Sequence, residues 1–263
     1  MTADIVERVR RSSRYRSVDT ALVARLAAEE LPKSRNADDA VKRVKRRLHQ
    51  AVGAFTAGSG AVDSAWPVAD PGALRAACLV AMRRHASTRE RIAYLDRFYE
   101  GIWQRTGVPR SILDLGCGLG PLALPWMGVG DARYVAIDID GGALDVVGSF
   151  LSAMGQPHRL EARDLVTDAP DDAADVALLL KLITTLDRQD PDAAARLLRG
   201  LRVRHAVVSF AARSLGGRGG GRGRTYRHRL DRLVDEVGRV RSVVEASVSN
   251  ELAFVLTFAR SDG

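Results

Sequence analysis

Three carboxylates and a run of alternating glycines carry the chemistry that can be read first. Ser111-Ile-Leu-Asp-Leu-Gly-Cys-Gly-Leu-Gly120 sets Asp114 inside an apolar run and follows it with Gly116, Gly118 and Gly120. A chain that leaves a buried strand in a tight turn needs positive φ and a bare backbone, and glycine supplies both at little cost. Arg133-Tyr-Val-Ala-Ile-Asp138 is a second apolar run closed by an acid, 24 residues after Asp114. A carboxylate at the end of a second strand can accept hydrogen bonds from both hydroxyls of a ribose. Asp164-Leu165 follows a third such run, His158–Arg163. The glycine spacing is not that of a dinucleotide site. G-x-G-x-x-G would require glycine at 121, where the chain has Pro121.

G-x-G-x-G after an acid resembles motif I of the class I S-adenosylmethionine (AdoMet) methyltransferases. Their ligand has no phosphate; its sulfonium, amino-acid tail and ribose suit carboxylates and main-chain carbonyls. In that family the position of Asp164 commonly reaches the adenine amino group. The plainer readings are a glycine loop closing a strand of any α/β protein and an aspartate capping a turn.

The elements that would position these residues follow from the pattern. Strands are expected near 111–115, 133–138, 157–161, 175–180 and 205–210, with helical segments between them. Residues 240–248 and 251–259 read as a closing hairpin. Alternation of this kind predicts an α/β fold with a parallel sheet covered on both faces, and with the closing hairpin it is similar to the Rossmann-like class I methyltransferase sheet that the motif I resemblance implies. Ahead of it the spacing predicts an N-terminal α-helical domain. Asp19, Asn36 and Asp70 are N-cap candidates, Pro71 fits a first helical position, and Ser87-Thr-Arg-Glu90 reads as a capping box. The organisation expected is residues 1–75 as a helical domain, 76–110 as a helical linker contributing to the AdoMet site, and 111–263 as the methyltransferase domain.

Charge is spread unevenly. Residues 1–110 hold 21 Lys/Arg against 12 Asp/Glu, and residues 111–263 hold 19 against 20. Lys42, Arg43, Lys45, Arg46 and Arg47 lie between the apolar positions Val41, Val44 and Leu48, so one helical face packs and the other presents cations suited to phosphates. The i,i+4 pairs Asp38–Lys42 and Asp39–Arg43 offer a purely structural use for part of that charge. Two cysteines, Cys78 and Cys117, form no disulfide framework and sit in no metal spacing. With no apolar run of membrane-spanning length and no secretory leader pattern, a reducing cytoplasm without membrane or metal is expected.

The segment after the fourth strand narrows the acceptor. It contains no Asn/Asp-Pro-Pro-Tyr/Phe loop to grip an exocyclic amine and no Pro-Cys pair to attack a pyrimidine. An acceptor that needs no deprotonation fits, and guanine N7 carries a free lone pair. Alignment and field would then suffice. The stretch Ser209–Tyr226, rich in glycine and arginine, reads as a lid that grips RNA, with Arg218 and Arg222 among its cations.

Taken together, the basic helical front end, Arg84-His-Ala-Ser-Thr-Arg-Glu-Arg91, Asp114-Leu-Gly-Cys-Gly-Leu-Gly-Pro121 and Ser209-Phe-Ala-Ala-Arg-Ser-Leu-Gly-Gly-Arg218 resemble the aminoglycoside-resistance 16S rRNA methyltransferases that modify N7 of guanine 1405. The resemblance covers nearly the whole chain and departs at Ala211-Ala212. It implies AdoMet contacts at Phe55, His85, Ala86, Ser87, Arg91, Gly116, Asp138, Asp164, Leu165, Leu180 and Gln189. Arg91 and Ser87 would fix the methionine carboxylate. Lys181 and Arg213 would position the flipped guanosine, and the partner would be 16S rRNA within the 30S subunit. Two alternatives stay open at this stage: an adenine-N1 methyltransferase of the same decoding site, and a non-catalytic AdoMet-binding ribosome assembly factor.

Overall fold

The computed structural model describes residues 1–53, 65–211, 220–248 and 251–259. Helices α1 (Thr2–Arg10), α2 (Thr20–Glu30) and α3 (Ala37–Leu48) form a bundle at the N-terminus. Asp19 caps α2 through the Leu22 amide, and Asn36 caps α3 through the Asp39 amide. The apolar stripe of α3 turns inward to Ile5, Val9, Leu22, Val23 and Leu26, giving the bundle a core of its own. Helices α4 (Pro71–Met82), α5 (Ala86–Arg89) and α6 (Leu95–Thr106) lead to the sheet. Asp70 caps α4, and Pro71 occupies its first turn.

The sheet holds β1 (Ser111–Leu115), β2 (Arg133–Asp138), β3 (His158–Ala162), β4 (Ala173–Leu180), β5 (Arg202–Ala211), β6 (Val240–Glu245) and β7 (Glu251–Phe258). Their order is β3-β2-β1-β4-β5-β7-β6. The first five strands run parallel, and β7 enters antiparallel between β5 and β6. The connecting helices are α7 (Leu124–Met127), α8 (Gly141–Ala153), α9 (Ile183–Asp187), α10 (Ala193–Gly200) and α11 (Gly220–Val237). Strand alternation sends Ile112, Tyr134, Ala136, Val176 and Leu178 into the core shared with α4, α6 and α8. Leu113, Val135, Ile137, Ala177 and Leu179 enter the opposite core under α10 and α11. The strand order reverses between β1 and β4, and in open α/β sheets ligands bind at such a switch point, outside the carboxyl ends of the strands.

Two local expectations give way. Ser87-Thr-Arg-Glu90 is not a capping box: His85 is the N-cap of α5, Ser87 Oγ meets His85 Nδ1 at 2.8 Å, and Glu90 binds Lys181 at 2.8 Å. A buried lysine needs a counter-charge more than the short helix needs a cap. Part of the expected lid is helix, since α11 begins at Gly220. Tyr226 stacks on Phe210 with ring centroids 5.0 Å apart, so its ring is spent on packing rather than offered to a base.

Asp114 is 2% exposed and faces α6, where the Tyr134 hydroxyl donates to it at 2.7 Å. Burial pushes its pKa up to about 7, against the pull of Tyr134 and Arg91. The fold therefore holds a proton that the unfolded chain releases near roughly pH 4. The stability tied to this proton is complete below that pH and is lost as the pH rises through 7. Asp114→Asn should stabilise the fold at pH 8 by on the order of 2 kcal/mol, seen as a higher melting temperature, and have little effect at pH 4. Thermal denaturation at the two pH values checks this; equal shifts at both would make the effect one of packing.

Candidate functional site

A pocket opens at the switch point. Its walls come from Gly116 and Gly118 after β1, Asp138–Asp140 after β2, Arg163–Val166 after β3 and Leu180–Leu182 after β4. Thr185, Leu186 and Gln189 close one side, His85 and Ser87 another, and Ala51 reaches in from the N-terminal bundle. Gly116 and Gly118 have φ of 63° and 49°. A Cβ at Gly116 would stand 2.7 Å from Leu182 Cδ1, and one at Gly118 would stand 2.7 Å from His85 Cε1. Both positions therefore exclude side chains on conformational and steric grounds.

Asp138 is held by main chain. The Gly118 amide donates to one oxygen at 2.7 Å and the Asp140 amide to the other at 2.9 Å. Burial raises its pKa to about 6, and those amide bonds oppose the rise. At neutral pH it is an ionised acceptor whose orientation is fixed. Asp164, 5% exposed, accepts from the Val166 amide at 3.1 Å and from Arg25 Nε at 2.6 Å. Arg25 also donates to Gln189 Oε1 at 2.9 Å. Leu165 and Leu180 supply apolar wall. The fit to AdoMet rests on this donor and acceptor set: an ionised carboxylate beside bare glycine backbone, a second carboxylate one strand further out, and apolar surface between them.

The opposite end of the pocket is underlain by charge. Lys181 has φ of 63°, the only positive φ at a non-glycine residue among those described. Such strain persists where surroundings over-determine the backbone, and here they do. The Lys181 amide donates to the Ser209 carbonyl, and its ammonium meets Glu90 at 2.8 Å, the Ser87 carbonyl at 3.0 Å and Glu251 at 3.7 Å. Arg91 lies behind it, 2% exposed, with Nε and Nη2 on Glu251 at 3.0 and 2.6 Å and its guanidinium 4.6 Å from the Phe98 ring centre. His85 is pushed down to about 4 by burial and by the Lys181 and Arg91 charges, so its imidazole is neutral.

The residues expected at the site thus separate. His85, Ser87, Gly116, Asp138, Asp164, Leu165, Leu180, Lys181 and Gln189 line one pocket. Arg91 and Ala86 do not line it, and Arg91 is engaged with Glu251 one layer back. Asp114 also faces away from the pocket, into the α6 side of the sheet. Phe55, Arg213 and Arg218 lie outside the described residues, as does the side chain of Arg222. The cationic strip on α3 divides in two. Lys42 and Arg46 are exposed and Lys45 is half-buried, while Arg43 and Arg47 turn to Glu30 at 2.9 Å each. The expected Asp38–Lys42 and Asp39–Arg43 pairs do not form, because Asp38 takes Arg8 of α1 and Asp39 takes Arg35. Sequence reasoning missed Arg25, Glu90 and Glu251. An acid opening the apolar strand Glu251-Leu-Ala-Phe-Val-Leu256 was the available sign, and its partner lies 160 positions away.

Among known families, that described as Ribosomal RNA methyltransferase (FmrO) matches residues 11–255. A protein of Micromonospora rosea named 16S rRNA (guanine(1405)-N(7))-methyltransferase is 38% identical over 258 residues, covering 94% of this chain and 93% of its own length. One of the same name from Micromonospora olivasterospora is 42% identical over 219 residues, covering 80% of this chain and 73% of its own. The crystal structure of 16S rRNA methyltransferase RmtF in complex with S-adenosyl-L-homocysteine superposes with a TM-score of 0.82, at 32% identity and 98% coverage of both chains. The seven-stranded sheet is that of the class I methyltransferases. With the match running from the segment ahead of α2 into the last strand, the chain belongs to the ribosomal RNA methyltransferase (FmrO) family.

Proposed function

We propose that this protein transfers a methyl group from AdoMet to N7 of guanine 1405 of 16S rRNA, and so protects the ribosome against kanamycin and gentamicin. The observation that carries this reading is the single pocket wall in which Gly116, Gly118, Asp138 and Asp164 meet at successive strand ends, in a chain similar over nearly its whole length to enzymes named for that reaction. AdoMet, when bound, supplies the electrophilic methyl on its sulfonium. Asp138 receives the ribose hydroxyls, Asp164 the adenine amino group, and Leu165 and Leu180 the faces of the base. Ser87, His85 and Lys181 border the methionine end, and Arg91 holds Glu251 behind them. Gly116 and Gly118 let the ligand approach the backbone. N7 offers a lone pair without losing a proton, so the protein's part is to hold it in line with the methyl.

The substrate is presented, in this reading, within the 30S subunit in the cytoplasm. Residues 1–75 dock, 76–110 link and contribute to the AdoMet site, and 111–263 catalyse. The basic surplus of the first 110 residues supports the docking role. Lys42, Lys45 and Arg46 meet phosphate, and Arg43 and Arg47 hold the helix that carries them. Arg213, Arg218 and Arg222 are assigned to the acceptor side.

The direct test is incubation of 30S subunits with methyl-labelled AdoMet, followed by borohydride–aniline cleavage and primer extension. A stop at guanine 1405 is expected; label elsewhere or none would overturn the assignment. Cells expressing the protein should tolerate kanamycin and gentamicin and remain sensitive to apramycin. Asp138→Asn should weaken AdoMet binding by about 100-fold in calorimetry, since charge-assisted bonds to two hydroxyls are lost. In the wild type, affinity should decline as the pH falls through about 6, where Asp138 gains its proton; a flat profile from pH 7 to 5 would remove it from the ribose. Lys42→Glu with Arg46→Glu should weaken 30S binding and reduce its salt slope by roughly 2, with AdoMet affinity unchanged.

A further inference from the structure

The N-terminal bundle is fastened to the cofactor pocket at two places, and both lie on the expected adenosine half. At the first, Ser17–Asp19 runs alongside the turn after β2. The Asp19 amide donates to the Ile139 carbonyl at 2.8 Å, the Gly141 amide donates to the Ser17 carbonyl at 2.9 Å, and Val18 bridges Asp140. A Cβ at Gly141 would stand 2.7 Å from the Ser17 carbonyl oxygen. At the second, Arg25 on α2 crosses to Asp164 and Gln189, residues 139 and 164 positions further along the chain. The Arg25 side chain is 16% exposed, and Glu29 holds it at 2.8 Å from its own helix. Burial works against the guanidinium charge, and the hydrogen bonds and charges of Asp164 and Glu29 together outweigh it.

The polarity of this contact sets what the pocket can read. A guanidinium only donates. Because Arg25 Nη2 binds Gln189 Oε1, the amide's NH2 is the end left to meet a ligand. Asp164 is pinned at one oxygen by Arg25 and at the other by the Val166 amide, so its carboxylate cannot rotate and its remaining lone pairs accept. The wall therefore offers an acceptor at 164 and a donor at 189. That is the complement of adenine, which presents an amino donor beside a ring-nitrogen acceptor. Hypoxanthine presents the reverse, an oxygen beside an N–H.

We infer that Arg25 is a positioning residue of the N-terminal bundle that fixes the base specificity of the cofactor pocket, orienting Asp164 and Gln189 to accept adenine and refuse a 6-oxopurine. The inference rests on the placement of adenine at Asp164 given above.

The test measures calorimetric affinities for S-adenosylhomocysteine and for its 6-oxo analogue S-inosylhomocysteine, using the full chain. The wild type should favour the adenosyl compound by at least about tenfold, the size of one mispaired polar group. Arg25→Ala should lower adenosyl affinity by about tenfold and leave inosyl affinity within about twofold, so that the preference collapses. Arg25→Lys, which keeps the charge but cannot hold both partners, should recover part of it. An equal loss for both ligands would reduce Arg25 to a fastener of the bundle and overturn the inference, as would no loss. Asp164→Asn separates the two levels. If it abolishes the preference while Arg25→Ala does not, the adenine placement stands and the role of Arg25 falls. If it leaves the preference intact, adenine does not meet Asp164, and the placement itself is overturned.

Discussion

The pocket depends on a buried group of four compensating charges. Arg91, Lys181, Glu90 and Glu251 come from the α5–α6 segment, the end of β4 and the start of β7, and they are arranged so that each cation meets a carboxylate. Removing any one would leave an uncompensated charge in a site with little water, which costs far more than the pair contributes net. The value of the group is therefore geometric. It ties the last strand inserted into the sheet to the segment that precedes the first. It also holds Lys181 at a backbone angle that lysine does not favour. Ser209 joins by donating to Glu251 and accepting from the Lys181 amide, which locks the ends of β4 and β5 to the same cluster.

The end of the pocket that carries Asp138 and Asp164 is built differently. There the N-terminal bundle, which has its own apolar core, supplies polar contacts rather than hydrophobic bulk. Those contacts continue outward. Asp164 meets Arg25, Arg25 meets Glu29, Glu29 meets Arg47 at 3.1 Å, and Arg47 shares Glu30 with Arg43. An unbroken line of ion pairs thus runs from the wall of the cofactor pocket to the helix that carries the cationic face. The cationic face of α3 and the Asp164 carboxylate belong to one continuous array, so the bundle is itself a wall of the site.

Sequence reasoning reached what local periodicity and backbone chemistry determine. Short apolar runs alternating with helical segments marked all seven strands within a few residues, and alternate glycines marked the turn where Gly116 and Gly118 take positive φ. Caps at Asp19, Asn36 and Asp70 were legible because a cap acts within three residues. Contacts across long separations were not. Ser87-Thr-Arg-Glu90 carries the signature of a capping box, yet Glu90 is drawn to a lysine 91 positions away. The facing of Asp114 was equally hidden. A strand residue points to one face or the other, and only the assembled sheet shows that its face is that of Tyr134 rather than the pocket. Arg25 sits on an ordinary amphipathic helix, and no spacing in the chain announces Asp164 as its partner.

The same geometry bears on the acceptor. A methyl acceptor that must lose a proton needs a base with an unengaged lone pair close to the reacting atom. Among the described residues of the pocket, the candidate bases are otherwise committed. Asp138 is held by a main-chain amide at each oxygen, Asp164 is pinned between Arg25 and the Val166 amide, and His85 Nδ1 is paired with Ser87. Lys181, the titratable group at the other end, is a cation held by a carboxylate. Such a wall is made to hold and orient rather than to abstract. It suits an atom that arrives with its lone pair exposed, which guanine N7 does and an amino or hydroxyl group does not.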